Sequence, residues 1–171
     1  MLTPEQIIRV LGLEPLPVEG GFFRQTYRSD DQIPLQALPP RYRGPARSFG
    51  TAIFYLLTSD PDSFSAMHRL ATDEVYHFYL GDPVEMLLLG PAGEIRRVRL
   101  GADLLAGQHV QFVVPRGIWQ GSRVLPGGRF ALLGTTMAPG FDSADFELGP
   151  RQELMQEYPQ ATDLIRLLTR S

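Results

Sequence analysis

The side chains of this sequence that could do acid–base chemistry are concentrated in one short stretch. Two of its three histidines, His68 and His77, lie in the segment MHRLATDEVYHFYLG together with Glu74. Alternate residues of a strand point to opposite faces, so two consecutive strands here place His68 and Glu74 inside and His77 outside. A buried histidine beside a carboxylate can act as a general base with its orienting partner, or the pair can ligate a metal. A structural hydrogen bond in the core is the alternative.

Further polar residues extend this candidate site. Tyr76 follows Glu74 on the same strand face and could donate or accept a proton, although a buried tyrosine can equally serve packing. We therefore predict His68, Glu74 and Tyr76 as the catalytic residues. Gln111, by strand alternation, is expected to face the interior, and Gln120 lies in a later strand. Both amides could form hydrogen bonds with a bound ligand.

Two arginines and a tryptophan complete the predicted ligand-binding set. Arg24 and Arg28 are four residues apart in a predicted strand and so share a face, where they could hold a carboxylate or phosphate group. A solvated face is the other interpretation. Trp119, the only tryptophan, adjoins Gln120 and could stack on a sugar ring or pack in the core.

Composition excludes several kinds of chemistry. The chain of 171 residues has no cysteine, and all 16 basic residues are arginine, so thiolate and Schiff-base mechanisms are excluded. A net charge of -3 gives no basic surface for nucleic acid. The apolar runs are too short to span a bilayer and the first residues do not form a signal peptide, so we expect a cytoplasmic protein without membrane contact.

The apolar runs are short and separated by turn residues, which predicts an all-β barrel or sandwich. The 17 glycines and 15 prolines punctuate nine candidate strands between residues 21 and 138. We predict one domain over 1–171, with the barrel at about 19–149, a helix near 3–12 and a helical segment over 150–171. The proline-rich stretch 30–48 is predicted to be a surface loop, or else a flap over a pocket or a dimer contact.

Two sequence motifs resemble those of the cupin superfamily. The stretch HRLATDEVYHFYLG resembles the first cupin motif, G(x)5HxH(x)3,4E(x)6G, and PRGIWQ resembles the second, PxGxxH. In this alignment His68 and Glu74 match a histidine and the glutamate of the motif, whereas Leu70 and Gln120 replace two histidines. Two of four metal-ligand positions are therefore changed.

A closer resemblance, to the Cupin_5 family, covers almost the whole chain. It rests on EGGFFRQTYRS, SAMHRLATDEVYHFYLGDPVEMLLL, QFVVPRGIWQGSR and APGFDSADFELG. The resemblance implies a double-stranded β-helix, the cupin jelly roll, with short terminal helices, a pocket inside the barrel and a homodimer. It also implies a likeness in fold to dTDP-sugar epimerases.

Three functions follow as hypotheses. The first is a metal-independent enzyme resembling sugar epimerases or isomerases, with His68 as general base acting on a small polar molecule such as a sugar derivative. The second is a binding module that holds such a molecule without converting it. The third is a metal-dependent enzyme, for which His68, Glu74 and Gln120 are the available ligands. Because Gln120 is a weak ligand, we predict no cofactor and at most weak divalent metal binding.

Overall fold

A computed structural model describes residues 2–170, so Met1 and Ser171, at the ends of the predicted domain and helical segment, lie outside it. Besides short 3-10 turns, residues 2–170 form three short α-helices and thirteen strands, in this order: α1 (Pro4–Leu11), β1 (Glu14–Pro15), β2 (Phe22–Arg28), β3 (Gln32–Pro34), β4 (Ala46–Ser48), β5 (Thr51–Thr58), β6 (Ser65–Leu70), β7 (Glu74–Gly81), β8 (Val84–Leu89), β9 (Ile95–Leu100), β10 (Gln111–Val114), β11 (Trp119–Val124), β12 (Phe130–Met137), β13 (Phe146–Leu148), α2 (Arg151–Glu157) and α3 (Thr162–Leu167).

The strands form two antiparallel sheets that face each other. One has the order β1-β2-β5-β12-β7-β10 and the other β13-β6-β11-β8-β9. Their inner faces enclose an apolar core that includes Tyr55, Leu57, Met86 and Leu133. This architecture confirms the predicted all-β barrel with short helices near both ends of the chain.

The apolar run in β8 is buried on both of its faces. Met86 and Leu88 point into the barrel, whereas Leu87 and Leu89 point outward and pack beneath α2 and α3. A strand covered on both sides has no solvent-facing position, so its sequence does not alternate between apolar and polar residues. The C-terminal helices are therefore part of the hydrophobic core rather than an appendage.

Helix α1 is delimited by local signals in the sequence. The Thr3 side chain accepts a hydrogen bond from the backbone of Gln6, whose own side chain accepts one from the Thr3 backbone. Pro4 occupies the first turn, and Gly12 ends the helix with φ 60°. Among residues 2–170, none of the helices is long and apolar enough to cross a membrane.

The proline-rich stretch is more ordered than the predicted loop. Strands β3 and β4 pair with each other as a separate two-stranded ribbon. Arg47 of β4 is 1% exposed, and its guanidinium donates to both carboxylate oxygens of Asp145, over 2.7 and 2.6 Å. The Tyr42 hydroxyl also lies 2.9 Å from that of Thr72. These contacts fasten the stretch to one end of the barrel.

Candidate functional site

A small cavity of about 90 Å³ lies between the two sheets. That volume is close to the space of about three water molecules. Most of its lining is apolar, and the two carboxylates Glu19 and Glu74 and the imidazole of His68 also reach it. The other lining residues are Leu16, Phe23, Gln25, Thr51, Ile53, Tyr55, Leu70, Thr135, Met137, Phe141 and Phe146.

The imidazole of His68 is held in one orientation. His68 is 1% exposed, and its Nδ1 lies 2.7 Å from the carbonyl oxygen of Ala66. Because a carbonyl oxygen only accepts, Nδ1 carries a proton and donates it to this bond. The ring also stacks on Phe146, with centroids 5.1 Å apart. The second ring nitrogen, Nε2, is left for chemistry in the cavity.

Glu74 lies opposite this nitrogen. Its Oε2 is 4.0 Å from His68 Nε2 and accepts a hydrogen bond of 2.8 Å from the amide of Gln120. Gln120 and His68 are register partners on neighbouring strands, so their side chains share the inner face of the sheet. The structure thus brings together His68, Glu74 and Gln120, as strand alternation and the cupin spacing predict.

Glu19 is a site residue that the sequence analysis missed. It lies in the turn between β1 and β2, and its Oε1 accepts a 2.8 Å hydrogen bond from the hydroxyl of Ser65. Val18, just before it, has φ 70°, which is rare for a β-branched residue. The segment EGG predicts a turn that depends on its glycines. Its first residue, Glu19, is a carboxylate, and this charged group was the signal in the sequence that pointed to a functional role.

The last described residue holds this turn from outside. The guanidinium of Arg170 donates to the carbonyl oxygen of Val18 over 2.9 Å and to that of Glu19 over 3.4 Å. It also lies over the ring of Phe64, 4.6 Å from its centroid. The C-terminal end of the chain therefore helps to fix the backbone that carries Glu19.

The ionisable groups alter one another's pKa values. Burial alone lowers the pKa of His68, but the Glu19 and Glu74 carboxylates outweigh it and raise that pKa to about 9. Burial and the negative charge of Glu74 raise the pKa of Glu19, while His68 acts in the opposite direction. At neutral pH the site thus contains an imidazolium and a carboxylate that binds protons more readily than an exposed one.

Tyr76 points into the same barrel but belongs to its core. It is 1% exposed, packs among the apolar residues between the sheets and does not line the cavity. Burial and the nearby Glu74 carboxylate raise the pKa of Tyr76 well above its ordinary value. A phenol that holds its proton so firmly is a poor acid, which weakens the catalytic role predicted for it.

The prediction that Gln111 faces the interior is wrong. Gln111 pairs in register with His77, and its amide lies 3.3 Å from His77 Nδ1 on the outer surface. The inward positions of β10 are Phe112 and Val114, which pack in the core, while Val113 is 47% exposed. Since the side-chain period is two, the strand was assigned the wrong phase.

Trp119 does not contact the cavity either. It packs under the C-terminal helices in the cluster that contains Leu87 and Leu154, with the Arg69 guanidinium 4.3 Å above its ring. Because Trp119 and Gln120 are consecutive in one strand, only one of them can face the barrel interior. The predicted stacking of Trp119 on a sugar at the barrel mouth is therefore wrong, and the alternative, packing in a hydrophobic core, is confirmed.

Arg24 and Arg28 lie on opposite faces of β2. A register shift between Gln25 and Tyr27 inserts an extra residue, which rotates the rest of the strand. Arg24 then lies outside against the ring of Phe54, whereas Arg28 reaches the cavity rim and donates to the carbonyl oxygen of Phe141 over 3.2 Å. The predicted two-arginine clamp therefore does not form.

The donor set of the cavity does not fit a transition-metal centre of the cupin type. His68 and Glu74 are adequate ligands, but Leu70 has no donor atom. Gln120 presents its amide N–H to Glu74, which is a hydrogen-bond donor rather than a metal ligand. Within residues 2–170, no group of three or more His, Cys, Asp or Glu side chains is placed to hold a metal ion.

Comparison with known proteins agrees with this geometry. Residues 5–149 match the family Cupin_5, described as "Cupin superfamily (DUF985)". The chain belongs to the Cupin_5 family. This confirms the resemblance noted in the sequence and accounts for the barrel around His68.

Several known proteins resemble the chain to different degrees. The crystal structure of protein SO0799 from Shewanella oneidensis is 35% identical, with a TM-score of 0.85 over 99% of both chains. The uncharacterized protein YML079W of Saccharomyces cerevisiae is 30% identical over 74% of this chain and 66% of its own length, so the chain spans just under two thirds of that relative. A dTDP sugar isomerase from Desulfovibrio desulfuricans, 20% identical with a TM-score of 0.50 over 79% of this chain and 87% of its own, shares the fold.

Proposed function

We propose that this Cupin_5 protein is a metal-independent enzyme that moves a proton within a small polar molecule, in an isomerase- or epimerase-like reaction on a carbohydrate derivative. The observation that carries the proposal is the fixed imidazole of His68, whose Nε2 shares a cavity with two carboxylates. The dTDP sugar isomerase neighbour supports it only at the level of the fold.

The charges suggest how the roles are divided. His68 is protonated at neutral pH, since its pKa is raised to about 9, and it therefore acts first as an acid rather than as the base that the sequence suggested. Glu19, whose pKa is raised, is the matching proton acceptor. The Glu19 and Glu74 carboxylates together keep the imidazolium charged, and Glu74 is itself held by Gln120.

A balanced reaction follows for a hydroxy aldehyde or hydroxy ketone. Glu19 removes the proton from the carbon next to the carbonyl, and the electron pair of that C–H bond forms a C=C bond. The electron pair of the C=O π bond moves to oxygen, which takes the proton from His68 Nε2 and gives an enediol. Glu19 then returns its proton to the other carbon of the C=C bond, the former carbonyl carbon. The hydroxyl on the carbon that Glu19 first deprotonated gives its proton to His68 Nε2 as the new C=O bond forms there. This yields the isomer and restores both residues.

Solvent exchange tests this proposal directly. The protein is incubated in D2O with a panel of hydroxy aldehydes, hydroxy ketones and keto sugars, and the loss of C–H signals is followed by proton NMR. We expect His68→Gln and Glu19→Gln each to slow exchange by about 100-fold or more. His109→Gln is the matched control, because His109 is exposed and far from the cavity lining.

The same experiment separates the enzyme from a binding module. Saturable binding of a panel compound without exchange of its C–H protons would reject the enzyme and favour a module. Exchange that is unchanged in His68→Gln would contradict the assignment of the site.

A further inference from the structure

A second space lies directly outside the cavity wall. Leu70 and Phe146 line both the cavity and an open surface groove of about 550 Å³. Arg41, Arg43 and Arg69 line this groove on the far side of those two side chains. A local group of arginines is notable here because the chain as a whole has a net charge of -3.

The carboxylates of the groove are already neutralised. Asp145 receives two hydrogen bonds from the buried Arg47, and Glu147 receives two of 2.8 Å from Arg69. Arg41 and Arg43, by contrast, have no carboxylate within ion-pair distance among residues 2–170. The groove therefore carries uncompensated positive charge at these two residues.

Arg41 is also held in position. Its Nε donates to the carbonyl oxygen of Ala71 over 2.9 Å, and its guanidinium lies 4.7 Å from the centroid of the Tyr42 ring. Its Nη2 also donates to the Tyr42 hydroxyl over 3.4 Å, so the other terminal nitrogen, Nη1, remains for a ligand. A planar guanidinium suits the oxygen atoms of a phosphoryl group. A fixed donor loses less side-chain entropy on binding than a mobile one.

We infer that Arg41 and Arg43 bind a phosphoryl group of a small ligand. Leu70 and Phe146 border both spaces, so a ligand held by its phosphoryl group in the groove lies beside the cavity. The substrate class is then a phosphorylated or nucleotide-linked carbohydrate. This last step rests on the proposed function, whereas the phosphoryl site in the groove does not.

Phosphate titrations test the groove without any catalysis. Inorganic phosphate is titrated at constant ionic strength while backbone amide and arginine Nε signals are followed by NMR. We expect saturable chemical-shift changes for residues around the groove. The apparent Kd for phosphate should be at least tenfold higher in the double variant Arg41→Gln/Arg43→Gln. The control is Arg9→Gln/Arg99→Gln, which removes equal charge at exposed positions elsewhere.

Two outcomes would overturn the phosphoryl site. One is a linear response of the wild type, and the other is an equal loss of affinity in the double variant and its control. Because Arg41 also bonds to Ala71, the single variant Arg43→Gln is measured beside the double variant, and thermal melts report whether each is folded. Arg43 forms no side-chain hydrogen bond to residues 2–170, so its loss tests binding rather than folding.

Glucose 1-phosphate and methyl glucoside distinguish the phosphoryl site in the groove from the binding of a phosphorylated carbohydrate in the cavity. We expect glucose 1-phosphate to shift signals of both the groove and His68, and the uncharged glucoside to bind at least tenfold more weakly. Shifts confined to the groove would reject the phosphorylated carbohydrate as the cavity ligand while leaving the phosphoryl site intact. Failure of the proposed function would appear separately, as the absence of His68-dependent proton exchange.

Discussion

The imidazole Nε2 of His68 lies 4.0 Å from Oε2 of Glu74. This separation is too long for a hydrogen bond but short enough for strong attraction in a buried site. The attraction between the two side chains therefore stabilises the folded protein, and the proton on His68 Nε2 remains available to a ligand.

This pair makes the stability of the protein depend on pH. The pKa of His68 is about 9 in the folded protein and about 6.5 in the unfolded chain. His68 thus stabilises the fold fully below pH 6.5, and this contribution is lost as the pH rises through 9. Urea unfolding of the wild type and His68→Gln should show their difference in stability falling by up to about 3 kcal/mol over this range. A difference that does not change with pH would contradict the raised pKa.

The buried ion pair between Arg47 and Asp145 should matter far more than an exposed one. Arg47→Ala leaves the Asp145 carboxylate buried without its partner, and we expect a loss of about 3–5 kcal/mol in the free energy of unfolding. The control is Arg69→Ala, which breaks a bidentate pair with Glu147 that is largely exposed and should cost about 1 kcal/mol or less for the pair itself. Equal losses in chemical denaturation would show that Arg47 is not a structural anchor.

Val18 offers a test of the strained turn. Its φ of 70° disfavours a β-branched side chain, and 58% of the residue is exposed, so little packing is lost on truncation. We expect Val18→Gly to leave the stability unchanged or to raise it by about 1 kcal/mol. Val10→Gly, at an exposed position of α1, should instead lower it by about 0.5 kcal/mol. Thermal melts measure this difference, and an equal decrease in the Tm of both variants would contradict the prediction.

The purified protein should hold well under one equivalent of zinc, iron, manganese or nickel. Leu70 and Gln120 leave His68 and Glu74 without the further donors that stable transition-metal sites need. Elemental analysis measures the metal content, and a chelator should leave the Tm unchanged. Near-stoichiometric metal that disappears in His68→Ala would restore the metalloenzyme hypothesis.

A homodimer remains a prediction, and the outer face of the six-stranded sheet is where we expect the contact. Tyr27, Tyr79 and Val113 are each about half exposed there, although all are large apolar or aromatic residues. Two-fold association would cover this surface. Light scattering should give twice the monomer mass, and Tyr79→Glu/Val113→Glu should halve it, whereas Val10→Glu on α1 should not. A wild-type monomer at micromolar concentration would exclude the dimer.

Strand alternation and motif spacing were sufficient to predict the barrel and to place His68, Glu74 and Gln120 inside it. Strand alternation gave the wrong inward-facing residues where the sequence of a strand does not determine which of its two faces points into the barrel. The inserted residue in β2 placed Arg24 and Arg28 on opposite faces of the strand. The sequence of β2 itself contains no feature that predicts this insertion. Glu19 escaped prediction for another reason. Its carboxylate reaches the cavity through a turn whose shape depends on contacts with residues far away in the sequence.

The bond between Arg170 and the carbonyl oxygen of Val18 joins residues 152 positions apart in the sequence. Arg170 does not line the cavity, yet it holds the backbone of the turn whose carboxylate does. A substitution at Arg170 therefore releases part of the cavity wall from a position that a set of cavity-lining residues omits. Ligand binding measured on such a variant reports on the shape of the turn as well as on the ligand.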